Sequence, residues 1–212
     1  ARAKGKPIWM TEYLVNEQTI ESAVGTAQQI VDCLTVGNMS AYIWWKCIGT
    51  ANGLLDNDAV PQRRGYVMGQ FSRFARPGYY RIGVALNSSM LLSAFKDPAS
   101  SNFVIVAANP TASAVNQSFT LTNFPVRGPL RAWVTSDTQS LANQGGAIAL
   151  TNDSFSYLLP PYSVISFVYQ PFQTNPPTIL QQPVSQASVA GGTVSFTVQA
   201  TGGTAPLQYQ WW

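Results

Sequence analysis

Along this chain of 212 residues the apolar positions follow two different rhythms. Up to about residue 79 they come as short unbroken runs and as helix-spaced stripes. The first run, Lys6-Pro7-Ile8-Trp9-Met10-Thr11-Glu12-Tyr13, is a short apolar stretch closed by a single carboxylate, which predicts a buried parallel strand. Apolar residues then recur at Ile20, Val24, Ala27, Val31 and Leu34, one face of an amphipathic helix, and Gly37-Asn38 supplies its C-terminal cap. A second buried strand is predicted at Ser40-Ala41-Tyr42-Ile43-Trp44-Trp45. A second helix, opening at Arg64-Gly65-Tyr66, carries Val67, Gln70, Phe71 and Phe74 and is ended by Arg76-Pro77-Gly78. Strand, helix, strand, helix is the unit of a parallel α/β fold. In β/α barrels the carboxyl ends of the strands face the active site, and an acid is costly to desolvate there without a task, so Glu12 becomes the first candidate for chemistry.

From Tyr79-Tyr80 to Tyr169 helix spacing disappears. Six short strands are predicted, at 90–95, 103–108, 117–121, 130–135, 155–159 and 163–169, separated by turn-rich stretches such as Asn143-Gln144-Gly145-Gly146. Clean alternation in Ser118-Phe119-Thr120-Leu121 marks a half-buried strand, and the region reads as an antiparallel β-sandwich. Residues 170–177 form a Pro-rich linker. A further β unit is predicted over 178–212, with strands at 179–183, 191–198 and 207–211. The expected organisation is therefore 1–79, an α/β barrel segment; 80–169, a side β-sandwich domain; 170–177, linker; and 178–212, a truncated β module.

Composition narrows the chemistry. Charged residues make up only 10% of the chain against 46% apolar, which suits a secreted, β-rich protein. The net charge of +3 is mild and its cations are scattered apart from Arg63-Arg64, so no nucleic-acid partner is expected. No run is long and apolar enough to span a membrane. Histidine is absent, which removes every mechanism needing a histidine base or metal ligand. Cys33, late in the first helix, and Cys47, after the following strand, fall at opposite ends of a β/α unit and are expected to be free thiols. Two cysteines are too few for a metal site, and neither a metal nor a cofactor is expected. The chain begins at Ala1 without a signal peptide and stops at Trp211-Trp212 within a strand-like stretch, so it reads as a fragment.

Several motifs, taken together and in order, carry a family likeness. Trp9-Met10-Thr11-Glu12-Tyr13, Ala41-Tyr42-Ile43-Trp44-Trp45, the stretch from Arg64-Gly65-Tyr66 to Phe74, and Arg76-Pro77-Gly78-Tyr79-Tyr80-Arg81 resemble consecutive motifs of glycoside hydrolase family 30, in its bacterial xylanase branch. Asn102 to Asn109 and Tyr162 to Phe167 resemble the side β-domain fused to that family's barrel. The resemblance implies a (β/α)8 barrel with a β-sandwich beside it, Ile8 to Tyr13 and Ala41 to Trp45 being barrel strands seven and eight. It also implies that Glu12 is the catalytic nucleophile and that its acid/base partner sits on strand four, outside this chain. Residues 178–212 resemble the first strands of a bacterial immunoglobulin-like module, whose third-strand Trp would fill the core.

The implied activity is that of a retaining β-glycoside hydrolase, an endo-β-1,4-xylanase, acting outside a bacterial cell as a monomer on a xylan-like polysaccharide, the fragment alone being inactive. Tyr13, Tyr42, Trp44 and Trp45 are the candidate substrate contacts; because neighbouring strand residues face opposite sides, one of Trp44 and Trp45 is expected to line the cleft and the other to pack under a helix. Glu17 and Glu21 read as a loop acid and a helix-start acid, and Asp56 and Asp58 as turn formers. The loop Lys46-Cys47-Ile48-Gly49-Thr50-Ala51-Asn52 contains no Arg, whereas glucuronoxylan-specific members use one there to grip the glucuronic acid branch. Two other readings stay open: another family 30 activity, such as glucosylceramidase or β-1,6-glucanase, and a non-catalytic carbohydrate-binding protein in which Glu12 is structural.

Overall fold

The computed structural model describes residues 6–85, 89–123, 128–169 and 178–201. Chain contacts divide it into two compact units, Ala1–Gln170 and Pro171–Trp212. The first opens with β1 (Trp9–Met10), α1 (Ile20–Thr35), β2 (Ala41–Tyr42) and α2 (Arg63–Ser72). β1 and β2 pair in parallel, Trp9 beside Ala41 and Met10 beside Tyr42, with α1 as the crossover between them. Thr19 caps α1 by accepting the Ser22 amide, and Glu21 lies in its first turn, where a carboxylate favours the helix dipole. The buried stripe of α1, from Ile20 to Val31, follows the spacing read from the sequence.

Eight further strands complete this unit: β3 (Tyr80–Ile82), β4 (Leu91–Lys96), β5 (Phe103–Asn109), β6 (Val115–Thr120), β7 (Leu130–Thr135), β8 (Ala142–Ile148), β9 (Ser154–Leu159) and β10 (Ser163–Tyr169). Six form an antiparallel sheet in the order β3-β4-β5-β10-β7-β8, and β6 pairs with β9 in a second, two-stranded sheet. β5 and β10 are buried along their whole length because both faces of the six-stranded sheet are covered. Phe103, Ile105, Ala107 and Phe167 face the two-stranded sheet, where Phe167 meets Phe119 and Phe155 at ring distances of 5.1 and 5.0 Å. Val104, Val106, Ala108 and Val164 face the opposite way and pack on Ile30, Val67 and Phe71 of the two helices. A buried polar knot ties α2 to this face: Gln70 Nε2 donates to Thr135 Oγ1 (2.9 Å) and Ser166 Oγ donates to Gln70 Oε1 (2.6 Å). The helices therefore share a core with the sheet, and the stretches 1–79 and 80–169 fold as one compact unit.

Three expectations need correction. The strand expected over residues 6–13 is reduced to Trp9–Met10, and Trp9 is 58% exposed; β1 has a single partner among the described residues, so most of what a barrel would bury stays open. The strand expected at 40–45 shortens to β2 for the same reason. The Asn143-Gln144-Gly145-Gly146 stretch, read as a turn, lies inside β8, an edge strand held by pairing with β7 through a register shift. Cys33 is buried and Cys47 exposed, and both are free.

The second unit shows β11 (Thr178–Gln181) paired antiparallel with β12 (Gln199–Thr201). The strand expected at 191–198 is displaced to β12. The Pro-rich linker at 170–177 and the strand expected at 207–211, with Trp211, lie outside the described residues.

Candidate active site

The parallel pair sets the site's frame. Beyond β2 the chains stay joined, Ile43 N donating to the Met10 carbonyl (2.8 Å) and Trp45 N to the Tyr13 carbonyl (3.1 Å). Trp45 thus lies at the carboxyl end of the strand next to the one that leads to Glu12. Glu12 is exposed, and among the described residues its carboxylate has no hydrogen-bond or ion-pair partner. Trp45 is exposed by 57%, and Tyr13 is half-buried with its ring 5.9 Å from that of Trp44.

Trp44 goes the other way. It is 6% exposed, its Nε1 donates to the Asn52 carbonyl (2.7 Å), and the Arg64 guanidinium lies over its ring at 4.5 Å. Tyr42 lies beside Met10 in register and turns toward α1, its hydroxyl donating to Gln29 Oε1 (3.2 Å). Burial, with smaller contributions from Cys33 and Tyr13, pushes the Tyr42 phenol far above its ordinary value. Trp44 and Tyr42 therefore have packing partners on the helix side of the strand, where alternation places residues two apart, and this geometry gives no support to the expected substrate contact of either.

Two loops rim the site and are tied together. Gln18 Nε2 donates to the Gly53 carbonyl (2.8 Å) and Asn52 Nδ2 to Asn16 Oδ1 (2.8 Å), linking the loop after β1 to the loop after β2. The second loop doubles back on itself, Gly53 N donating to the Gly49 carbonyl (2.8 Å), and a Cβ at Gly53 would come within 2.3 Å of Gly49 N. Gly65 is equally constrained, since a Cβ there would meet the Leu54 carbonyl oxygen at 2.3 Å. Lys46 is exposed at the base of this loop.

Arg64 is the residue that sequence reading passed over. It is 0% exposed and donates to the Ser22 carbonyl (3.3 Å), Ser22 Oγ (3.0 Å), Thr26 Oγ1 (2.5 Å) and the Glu17 carbonyl. Burial lowers its pKa from the usual guanidinium value, and among the described residues it has no carboxylate within ion-pair distance. The spacing Arg64, Val67, Phe71 places it on the buried stripe of α2, the one signal that marks it out from Arg63. Arg63 instead reaches outward to Asp137 (3.5 Å).

The other acids do not join Glu12. Glu17 accepts from Thr19 Oγ1 (3.3 Å) and Glu21 lies in the first turn of α1. Asp56 accepts the amides of Asp58 and Val60 (2.9 Å each), which is turn-forming work. No group of three or more metal-ligating side chains occurs among the described residues.

No protein-family model matches the chain. Its sequence is 35% identical over 175 residues to the glucuronoxylanase XynC of Bacillus subtilis, a match covering 79% of this chain and 40% of that protein. Solved structures of xylanases are similar to it as well. Its fold superposes on the glycoside hydrolase family 30 subfamily 8 xylanase Xyn30A from Clostridium acetobutylicum with a TM-score of 0.74 at 38% identity, covering 79% of this chain and 43% of that one. A GH30 endoxylanase from Clostridium papyrosolvens gives a TM-score of 0.70 at 35% identity, covering 79% and 42%. The chain thus spans about two-fifths of the length of the xylanases it matches. This agrees with a β1-α1-β2-α2 segment that is part of a larger barrel, carrying its adjoining β layers.

Proposed function

We propose that the protein containing this segment is a family 30 retaining endo-β-1,4-xylanase with Glu12 as its nucleophile. The observation that carries this is the placement of Glu12: a carboxylate at the carboxyl end of a parallel strand whose neighbour leads to Trp45, in a chain 35–38% identical to xylanases. A retaining mechanism needs a second carboxyl about 5–5.5 Å away. A Glu12 oxygen bonds to the anomeric carbon as the glycosidic bond breaks, and the second carboxyl gives its proton to the leaving oxygen. That carboxyl then takes a proton from water as the water oxygen displaces Glu12. Glu17 accepts from Thr19, Glu21 lies in the first turn of α1 and Asp56 holds its own turn, which supports an acid/base on a part of the barrel outside this chain. Trp45 offers an exposed face for stacking on a sugar ring, and its backbone amide donates to the Tyr13 carbonyl.

The loop after β2 carries no Arg to grip a glucuronic acid branch, which supports an enzyme that cleaves xylan without requiring that branch. The low charge content supports action outside the cell. The test is Glu12→Gln in the full-length enzyme, assayed on glucuronoxylan and on linear xylo-oligosaccharides. Turnover is expected to fall by roughly a thousandfold or more on both, a loss typical of removing a nucleophile, while the unaltered enzyme cleaves both substrates. Normal turnover by the Gln variant would rule Glu12 out, and cleavage confined to glucuronoxylan would rule out branch independence.

A further inference from the structure

We infer that Arg64 is a positioning residue for the nucleophile: its buried guanidinium fixes the strand end on which Glu12 and Trp45 sit. The inference rests on the reading of Glu12 as nucleophile. Arg64 spans three elements at once. It donates to Ser22 and Thr26 on α1, to the Glu17 carbonyl in the loop that follows Glu12, and it covers the ring of Trp44 beyond β2. Trp44 packs against Tyr13, the residue next to Glu12, and the Tyr13 carbonyl receives the Trp45 amide. The backbone that follows Glu12, at Tyr13 and at Glu17, therefore runs through one or two contacts to a single planar cation.

Stability alone is a poor reason for such a group. A buried cation is costly to desolvate, and apolar residues of similar volume commonly pack as well or better. Here the charge faces neutral acceptors and an indole face, and Arg64 Nε is without a partner among the described residues. What the guanidinium adds is geometry, because its rigid fork of donors holds several acceptors at fixed angles while its flat face stacks on Trp44. A Lys ammonium supplies the charge without the fork or the stacking surface.

The test uses the full-length enzyme and a xylobioside probe bearing 2-fluoro and dinitrophenolate groups. A carboxylate oxygen bonds to the anomeric carbon as the bond to dinitrophenolate breaks, and the phenolate departs with the electron pair, so no proton from the acid/base is needed. Intact-protein and peptide mass spectrometry then read the labelling rate and the labelled residue. In the unaltered enzyme the label is expected on Glu12. In R64K, labelling at saturating probe is expected to slow by on the order of tenfold or more per folded molecule, since misplacing a reacting group by a fraction of an ångström is enough for that. The half-saturating probe concentration is expected to stay near its original value. A second variant, S22A/T26A, removes two side-chain acceptors of Arg64 from the first two turns of α1 and is expected to slow labelling in the same direction while remaining folded. Labelling of both folded variants at the original rate would overturn the inference, as would an original rate in S22A/T26A if R64K does not fold. A label absent from Glu12 in the unaltered enzyme would instead overturn the nucleophile reading itself, and the two failures are told apart by that control.

Discussion

Ser93 gives a sharp test of how well the core is understood. It sits in the middle of β4, opposite Val106, is 0% exposed, and its hydroxyl has no hydrogen-bond partner among the described residues. Its strand neighbours two places away are Leu91 and Phe95, so it faces the apolar layer between the sheet and the helices. A buried hydroxyl without a partner costs about 1–3 kcal/mol in lost hydration. Ser93→Ala removes that cost and leaves a void of roughly 15 Å³, worth a few tenths of a kcal/mol at about 24 cal/mol per Å³. The net expectation is a gain of about 1 kcal/mol. Urea unfolding should show a higher midpoint with an unchanged slope, and thermal unfolding should shift upward by about 2–4 °C for a unit of this size. A loss of about 1 kcal/mol or more would refute the reasoning and show that the hydroxyl is hydrogen-bonded, to an internal water for example.

Two further outcomes follow from packing and charge. Phe167 is fully buried between the sheets against Phe119, Phe155 and Tyr157, so Phe167→Ala should lower unfolding free energy by about 3–5 kcal/mol in the same urea assay. The Asp97 carboxylate accepts from Ser100 Oγ (2.7 Å) and the Ala99 amide (2.9 Å), and these bonds, the Ser100 one first, hold its pKa below the usual value. Because the folded pKa is the depressed one, the stabilisation is present above the ordinary carboxylate pKa and is lost as the pH falls through the folded value. Ser100→Ala should move the Asp97 midpoint upward in a carboxyl carbon NMR titration; an unmoved midpoint would remove Ser100 as the cause.

How much was legible depends on how local the signal was. The helices at 20–35 and 63–72 and the strands at 130–135 and 163–169 follow from apolar spacing read over a few turns or a few alternations. Chain order also placed Glu12 and Trp45 at the ends of successive parallel strands, because a strand-helix-strand unit returns each strand to the same end of the sheet. β8 was missed because an edge strand is held by backbone pairing with one neighbour, which leaves no apolar rhythm in Ala142–Ile148. The brevity of β1 and β2 has the same root in reverse: their apolar runs anticipate neighbours that are absent among the described residues.

The sequence by itself determined the α/β beginning, the antiparallel β layers after residue 79, and a carboxylate at a strand end with no histidine to help it. These are consequences of periodicity and composition, which need only neighbouring residues. The tertiary structure decided that the helices and the six-stranded sheet share one core, that Trp44 is buried while Trp45 is exposed, and that Arg64 bonds to α1 and to the loop after Glu12. Each of these depends on partners far away along the chain, such as Thr26 with Arg64 or Gln70 with Ser166, and spacing within one element carries no record of them.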